Sequence, residues 1–360
     1  MELLILDSNF EAIGLIDNFE SLIWTERYAE AGDFELYFPM NSQTFDDIRK
    51  GTYIWYRNSE RLMIIEDFDI SADAEIGNKV AVTGRSLESI LDRRIIWSQT
   101  ILTGNFQDGI EKILNENVIS PSNVSRQIPN FIFKRSEDVA ITSLTIDDQL
   151  HGDVLYDAVK NYCDERSIGF KILPSGTGGF SFELYNGTDR SYAQDALPWV
   201  EFSPRFSNLL TSKYAESNKA IKNVALSAGS GEGSDRKTVS VYTTSAEPTG
   251  LSRRELFVDA YSTSQTTDTG ELSDSEYEKQ LIEKGKTALS EYKTSEAFEA
   301  EIDTNMQFVY PRDFQVGDIV QIRNEYNIER RVRITEIVWS YDAEGEIVTP
   351  TFITLDEEEE

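Results

Sequence analysis

The chain has 360 residues, which at about 150 residues per domain corresponds to two or three domains, and its 39% hydrophobic content with 5 Trp, 16 Tyr and 19 Phe is that of a folded protein. Lys and Arg number 34 against 64 Asp and Glu, a net charge of −30, and such a surface repels phosphate backbones, which argues against a nucleic-acid binder. No apolar stretch approaches the roughly 18 residues that a membrane span needs.

In chain order, the opening alternates by twos. Leu3 to Leu6, a turn at Asp7-Ser8-Asn9, and Phe10 to Ile16 predict a hairpin. Leu22 to Tyr28 and Phe34 to Phe38 follow, broken at Gly32 and closed by Pro39. Thr52 to Arg57, Arg61 to Ile70 and Lys79 to Val82 continue the pattern. Six or seven short strands at this spacing predict an antiparallel sandwich or barrel-like sheet. A helix is expected after Thr83-Gly84, with Leu87, Ile90, Leu91 and Ile95 on one side.

The pattern changes after about residue 98. Ile110, Ile113, Leu114 and Val118 have helical spacing, as do Val154, Leu155, Ala158, Val159, Tyr162 and Cys163. The second of these helices runs into Phe170 to Leu173, a turn from Pro174 to Gly179, and a strand from Phe180 to Tyr185. Helices mixed with a hairpin predict an α+β unit. From about 197 strands return, interrupted by polar stretches at 227–237 and 261–275. Ser273 and Glu276 form a capping box for a helix to about 297, with Tyr277, Leu281, Ala288, Leu289 and Tyr292 inward. Phe308 to Thr354 reads as β, and 355–360 as an acidic tail.

An internal echo is present. Gly51, Ile54, Tyr56, Arg57 and Asn58 align with Gly317, Val320, Ile322, Arg323 and Asn324, and Arg61, Leu62, Ile64 and Glu66 align with Arg331, Val332, Ile334 and Glu336. Both copies read as a glycine-led strand, a turn and a strand. Shared strand alternation supplies part of this agreement, so convergent β patterning stands beside duplication. With duplication, the chain carries two related β-domains around an inserted middle. Three copies in a ring would then present six similar domains, a threefold object able to sit on a sixfold one.

Motifs for chemistry are sparse. His151 precedes Gly152-Asp153, where Asp153 could cap the helix, and a loop or cap histidine is the expected reading. Cys163 falls on an apolar helix face, which predicts a buried, inert thiol. One cysteine permits no internal disulfide, and one histidine with one cysteine argues against zinc. Gly229-Ser-Gly231-Glu-Gly233 is followed by strand-like Lys237 to Tyr242 rather than a helix start, so it is expected to be a loop, not a phosphate cradle, and so is Gly176 to Gly179. Asp67, Asp69, Asp73 and Glu75 lack the glycine of a calcium loop and read as a charged strand end. Paired carboxylates for glycoside cleavage cannot be picked out among 64 acids. The start, Met1 to Asp7, has no basic region and no cleavage-type site, so no signal peptide is expected.

Two segments carry a family resemblance. Trp24-Thr-Glu-Arg27-Tyr28-Ala-Glu-Ala-Gly32-Asp33-Phe34-Glu35-Leu36-Tyr37-Phe38-Pro39 resembles the early strand pair of tailed-phage hub proteins. Thr83-Gly84-Arg85-Ser86-Leu87-Glu88-Ser89-Ile90-Leu91-Asp92-Arg93-Arg94 resembles the glycine-led helix that follows there. Phe314 to Val320, with Gly317 and Asp318, and the run to Phe352 resemble the closing strands. The chain is thus similar to the siphophage tail-hub family, to the amino-terminal part of tail-associated lysins and to the baseplate hub of T-even phages. The resemblance is strongest in 1–98 and 308–354, and its motifs bring no catalytic residue, cofactor or metal.

The resemblance implies an α+β, mainly antiparallel β fold of two related tail-tube-like β-domains flanking an inserted α+β unit. The expected boundaries are 1–98 with a closing helix, 99–196 for the insertion, 197–354 for the second tube-like domain, and 355–360 for the tail. It further implies a homotrimeric, pseudo-sixfold ring at the distal end of the virion tail, made in the bacterial host cytoplasm. Its partners would be a hexameric distal tail protein, the tape-measure protein and a separate tip or fibre protein, with DNA passing through and repelled by an acidic wall. Many relatives carry a carboxy-terminal peptidoglycan-cutting or receptor-binding extension, whereas this chain stops about six residues after its last predicted strand. The leading expectation is a structural tail hub without enzymatic activity. The alternatives are a cell-wall hydrolase using two carboxylates and a host-glycan-binding tip module. The chain's aromatics, which can stack on sugars, encourage the latter, but Trp24, Phe34 and Phe38 alternate in predicted strands, which marks them as core.

Overall fold

The computed structural model describes residues 2–39, 42–73, 77–233, 236–261, 263, 265–267, 270–290, 292, 295–302 and 307–355. The fold is α+β and mainly antiparallel β. Contacts group the chain into two compact units, Met1–Ser212 with Glu299–Glu360, and Lys213–Phe298. The segments 1–98 and 99–196 both fall in the first of these, together with the last strands.

The first unit is built around one long strand. Glu329–Asp342 pairs along one edge with Gly345–Thr354. Its other edge takes Ile319–Arg323 first and Ser21–Arg27 second. The sheet continues through Asp33–Pro39 and Gly77–Arg85 to Asp67–Asp73. A second sheet has the order Ala12–Ile16, Leu3–Leu6, Tyr53–Tyr56, Leu62–Ile64. The two sheets meet through aromatic rings. Tyr56, from the smaller sheet, lies edge-on to Trp24 at 6.2 Å and to Trp339 at 5.2 Å. Strand alternation sends Trp24, Phe34, Leu36, Phe38 and Trp339 into this core, and all are buried. Trp24, Phe34 and Phe38 are thus core residues, as their alternation predicts.

The middle of the chain adds a three-stranded sheet to the same unit. Phe131–Lys134 runs parallel to Gly179–Tyr185, which pairs antiparallel with Gly169–Ser175. Phe133, Phe182 and Phe170 stack in sequence across it. Helix Leu155–Glu165 buries Leu155, Ala158, Val159, Tyr162 and Cys163, the face that the spacing predicts. Helix Phe106–Leu114 is capped by Asn105, whose side chain accepts from the Asp108 N–H.

In the second unit, Thr238–Tyr242, Val224–Ala228 and Glu255–Asp259 form a three-stranded sheet. Helix Asp274–Ser290 covers it, with Tyr277, Leu281 and Leu289 buried. The capping box is present. Ser273 Oγ accepts from the Glu276 N–H at 3.3 Å, and Glu276 Oε2 accepts from the Ser273 N–H at 3.0 Å. Its carboxyl is held below the usual range by these bonds to Ser273.

Several expected elements differ. The closing helix is a 3-10 turn, Leu87–Arg93, because the preceding strand runs on through Arg85 and the Ser86 N–H still donates to Gly32 O at 2.9 Å. Leu87, Ile90 and Leu91 are buried, but Ile95 lies beyond the turn and is exposed. Arg61 to Ile70 is two strands, Leu62–Ile64 and Asp67–Asp73, since each half pairs in a different sheet. A helix at Ser42–Lys50 was not expected from the sequence. The helix expected to reach 297 stops at Ser290, and a strand starts at Ser295, burying Phe298 and Ile302. Turns occupy most of 307–318, and β structure resumes at Ile319. Both echo segments are hairpins, but their registers differ by one residue: Ile54 pairs with Met63, whereas Val320 pairs with Val332, the counterpart of Leu62. Residues 356–360 of the expected tail lie outside the described residues.

Two glycines are fixed by close backbone approach. A Cβ at Gly84 would lie 1.7 Å from Ile64 O, and one at Gly32 would lie 2.1 Å from Thr25 O. Neither neighbour can yield without breaking the sheet. Gly84→Ala and Gly32→Ala are each expected to cost about 3 kcal/mol or more in urea unfolding. Gly104→Ala, with open space around it, should cost only about 1–2 kcal/mol from its left-handed backbone. Similar losses at all three positions would contradict the packing argument.

Candidate functional site

Arg27, Tyr28, Asp33, Gly317 and Asp318, five of the residues that carry the family resemblance, meet at one junction in the first unit. Arg27 sits opposite Glu336 in the sheet. Its Nε donates to Glu336 Oε2 at 2.7 Å, and its Nη1 donates to Asp33 Oδ2 at 2.5 Å and to Ala31 O at 2.9 Å. One guanidinium thus ties the early strand pair to the last long strand. Burial works against its charge, but Asp33 and Glu336 more than compensate and hold it above its ordinary value.

Tyr28, the next residue, is buried where three parts of the chain meet. Its hydroxyl accepts from Arg333 Nη1 at 3.0 Å and lies 3.0–3.2 Å from the carbonyl oxygens of Ser167, Tyr185 and Asn186. The Arg333 guanidinium stands over its ring at 4.8 Å, and the Tyr185 ring meets it edge-on at 5.1 Å. Burial pushes the Tyr28 hydroxyl well above its usual pKa. Glycines make room for this ring. A Cβ at Gly169 or at Gly317 would come within 2.4 Å or 2.7 Å of it. Gly317 also has φ of +95°, a backbone region that favours glycine.

Asp318 continues the junction. Its Oδ1 accepts from the Thr188 N–H at 2.8 Å, and its Oδ2 accepts from Arg190 Nε at 2.9 Å and the Gln315 N–H at 3.0 Å. Phe34 and Gly84 are partners on neighbouring strands, with Gly84 facing the Phe34 ring, and Gly32 accepts from the Ser86 N–H just past that strand. The other motif residues are elsewhere. Gly51 ends the Ser42–Lys50 helix and packs on Ile5. Leu87 and Leu91 are fully buried core. Arg94 donates from Nε to Arg126 O at 2.9 Å.

Sequence reasoning did not single out the charged core next to this junction. Arg61 and Glu88 form a fully buried ion pair, and Glu88 Oε1 also accepts from the Ile172 N–H at 3.0 Å. Arg61 Nη2 donates to Tyr185 at 3.1 Å. Glu26, also buried, accepts from Tyr310 at 2.8 Å, from Trp24 Nε1 at 3.4 Å and from Ser59. Burial raises its carboxyl above the usual range, and Arg61 with the three donors opposes that rise. A polar cleft of about 410 Å³ opens over this network, lined by Glu26, Glu60, Arg61, Lys171, Tyr310 and Asp318 among others. No local sequence signal marks it: Glu26 stands between Thr25 and Arg27, Arg61 follows Glu60, and Glu88 stands between Leu87 and Ser89.

The candidates for chemistry stand apart from the junction. Cys163 is fully buried and burial drives its thiol pKa up, so it is held protonated. His151 is exposed, and its N–H donates to Asp153 at 3.0 Å. Asp153 does not cap the following helix, whose N-cap is Val154. Gly229 leads into a hairpin of Val224–Ala228 with Thr238–Tyr242, and Gly176 and Gly178 lie in the turn of another hairpin. Asp67 and Asp69 lie on the edge strand Asp67–Asp73, and Glu75 lies outside the described residues.

The motif residues at this junction thus hold together the packing of a mainly antiparallel β fold. The chain belongs to the siphovirus ReqiPepy6 Gp37-like protein family, whose model matches residues 2–352. Its fold is that of phage tail proteins. It is similar to a tail protein from Neisseria meningitidis MC58, at 10% identity and a TM-score of 0.58, covering 98% of this chain and 96% of that one. The 43 kDa tail protein of prophage MuSo2 from Shewanella oneidensis gives 10% identity and 0.56, with 98% of both chains covered. Prophage tail protein gp18 from Listeria monocytogenes EGD-e gives 10% identity and 0.52, with 98% and 94% covered. No curated protein sequence matches the chain.

The buried pair gives a test of the site's energetics. Arg61→Ala removes the buried cation that pairs with Glu88 and leaves it the Ile172 N–H, and is expected to cost about 3–5 kcal/mol in denaturant unfolding. Arg61→Met with Glu88→Leu should recover most of that loss. A double variant as unstable as the single one would show that the pair's hydrogen bonds, not its unpaired charge, set the cost.

Proposed function

We propose that this protein is a non-enzymatic structural component of a phage tail, the hub at its distal end. The observation that carries the reading is a match of fold over nearly the whole of both chains to several phage tail proteins, together with the family membership. In this reading three copies form a ring in which two related tube-like β-domains per chain, 1–98 and 197–354, create pseudo-sixfold symmetry around a channel. The unit 99–196 is inserted between them.

Such a ring joins a hexameric distal tail protein to a threefold tip, holds the end of the tape-measure protein and meets a separate tip or fibre protein. Symmetry supports the geometry: a threefold object with six similar lobes offers equivalent contacts to a sixfold neighbour. The net charge of −30 supports an acidic channel wall, past which DNA slides without being trapped. Long-range closure of the sheet by Glu329–Asp342 supports a rigid collar, since it locks the first and last segments into one body.

Electron microscopy of the purified protein, alone and mixed with the distal tail protein, tests this reading. Threefold rings with six outer lobes are expected. A compact monomer under both conditions would contradict it. A reconstruction with a neutral or basic bore would remove the acidic-wall element while leaving the ring. Peptidoglycan turbidity assays are expected to show no release, and lysis would favour the hydrolase reading.

A further inference from the structure

We propose that the corner formed by Arg94, Trp97 and Arg126 is a docking site for an acidic peptide segment of a partner protein. The inference is independent of the ring reading, because it rests on how these side chains are held and on what they lack.

Two stretches of chain clamp each other here. Arg94 Nε donates to Arg126 O at 2.9 Å. In return, Arg126 Nη2 donates to Ile95 O at 2.7 Å and to Asn117 Oδ1 at 3.0 Å. The same Asn117 oxygen accepts from the Trp97 N–H at 3.2 Å. The Arg126 guanidinium stands over the Trp97 indole at 5.2 Å. Both cations are therefore positioned before any partner arrives.

Every acceptor in this clamp is a neutral oxygen. Among the described residues neither Arg94 nor Arg126 makes an ion pair, in a chain with 64 acids to 34 bases. Arg27, Arg61, Arg85, Arg135 and Arg190 all have carboxylate partners. Burial and then the neighbouring Arg94 charge push the Arg126 guanidinium below its ordinary pKa. Two like charges held side by side without an anion are the arrangement that a carboxylate relieves. Arg94 also donates from Nη1 to Arg93 O at 2.8 Å, which leaves its Nη2, and on Arg126 the Nε and Nη1, to give charge-assisted N–H bonds to such a carboxylate.

Apolar surface surrounds the pair. Trp97 is 64% exposed, and Ile95, Ile101 and Val124 are exposed with it. A peptide that places one or two carboxylates on the arginines and an aliphatic side chain on Trp97 satisfies both features.

The test uses the full chain and fluorescence anisotropy with a labelled heptapeptide, Leu-Asp-Glu-Leu-Asp-Glu-Leu, against its Asn/Gln counterpart and a twelve-nucleotide thymidine oligonucleotide. Saturable binding of the acidic peptide is expected, with little binding of the neutral one. Arg94→Gln and Arg126→Gln should each weaken it by about tenfold or more. Arg126 also holds backbone, so Trp97→Ala, at an exposed ring, provides a second variant. It should weaken binding several-fold with an unchanged melting temperature. Arg57→Gln, an exposed arginine outside the corner, should bind as the parent does. No binding of the acidic peptide, equal binding of the neutral one, indifference to Arg94 and Trp97, or tighter capture of the oligonucleotide at these residues would each overturn the proposal.

Discussion

The pairing of Glu329–Asp342 with Ser21–Arg27 is the contact on which the rest of the first unit depends. It brings Arg27 and Glu336 together across 309 residues of chain. Closing so long a loop costs conformational entropy, though the cost grows only slowly with length. What offsets it is a buried aromatic core, in which Trp339 meets Tyr56 at 5.2 Å and Tyr310 at 4.7 Å. Once these strands are in register, Tyr28 is placed against Arg333, Gly317 and Gly169, and the middle sheet docks through the bond from the Phe170 N–H to Tyr28 O. Every residue of the junction is therefore subordinate to one strand pairing.

Local patterns in the sequence were readable because their causes are local. The first hairpin, the capping box at Ser273 and Glu276, and the buried face of Leu155–Glu165 follow from alternation, a side-chain cap and helical spacing. The misread elements are those where a distant partner decides. Arg61 to Ile70 alternates continuously, yet the chain changes sheets within it. Leu87, Ile90 and Leu91 have helical spacing, yet a strand that runs through Arg85 leaves room only for a 3-10 turn.

The junction was half legible. Arg27, Tyr28, Asp33, Gly317 and Asp318 stood in segments that resemble a family, so their positions drew attention without revealing their contacts. Arg333, Tyr185 and Gly169 had no local signature, because they matter only as neighbours of Tyr28. The buried charges at Glu26, Arg61 and Glu88 stand beside polar neighbours in the sequence, and nothing in it pairs them. Such networks hold a unique packing at high cost if broken.

The central claim is that this shape serves as a structural part of the phage tail. Gold-labelled antibody against this chain, applied to intact virions, tests that most directly. Label confined to the end of the tail away from the head is the expected result. Particles that carry no label, while the infected-cell lysate contains the protein free, would contradict the account.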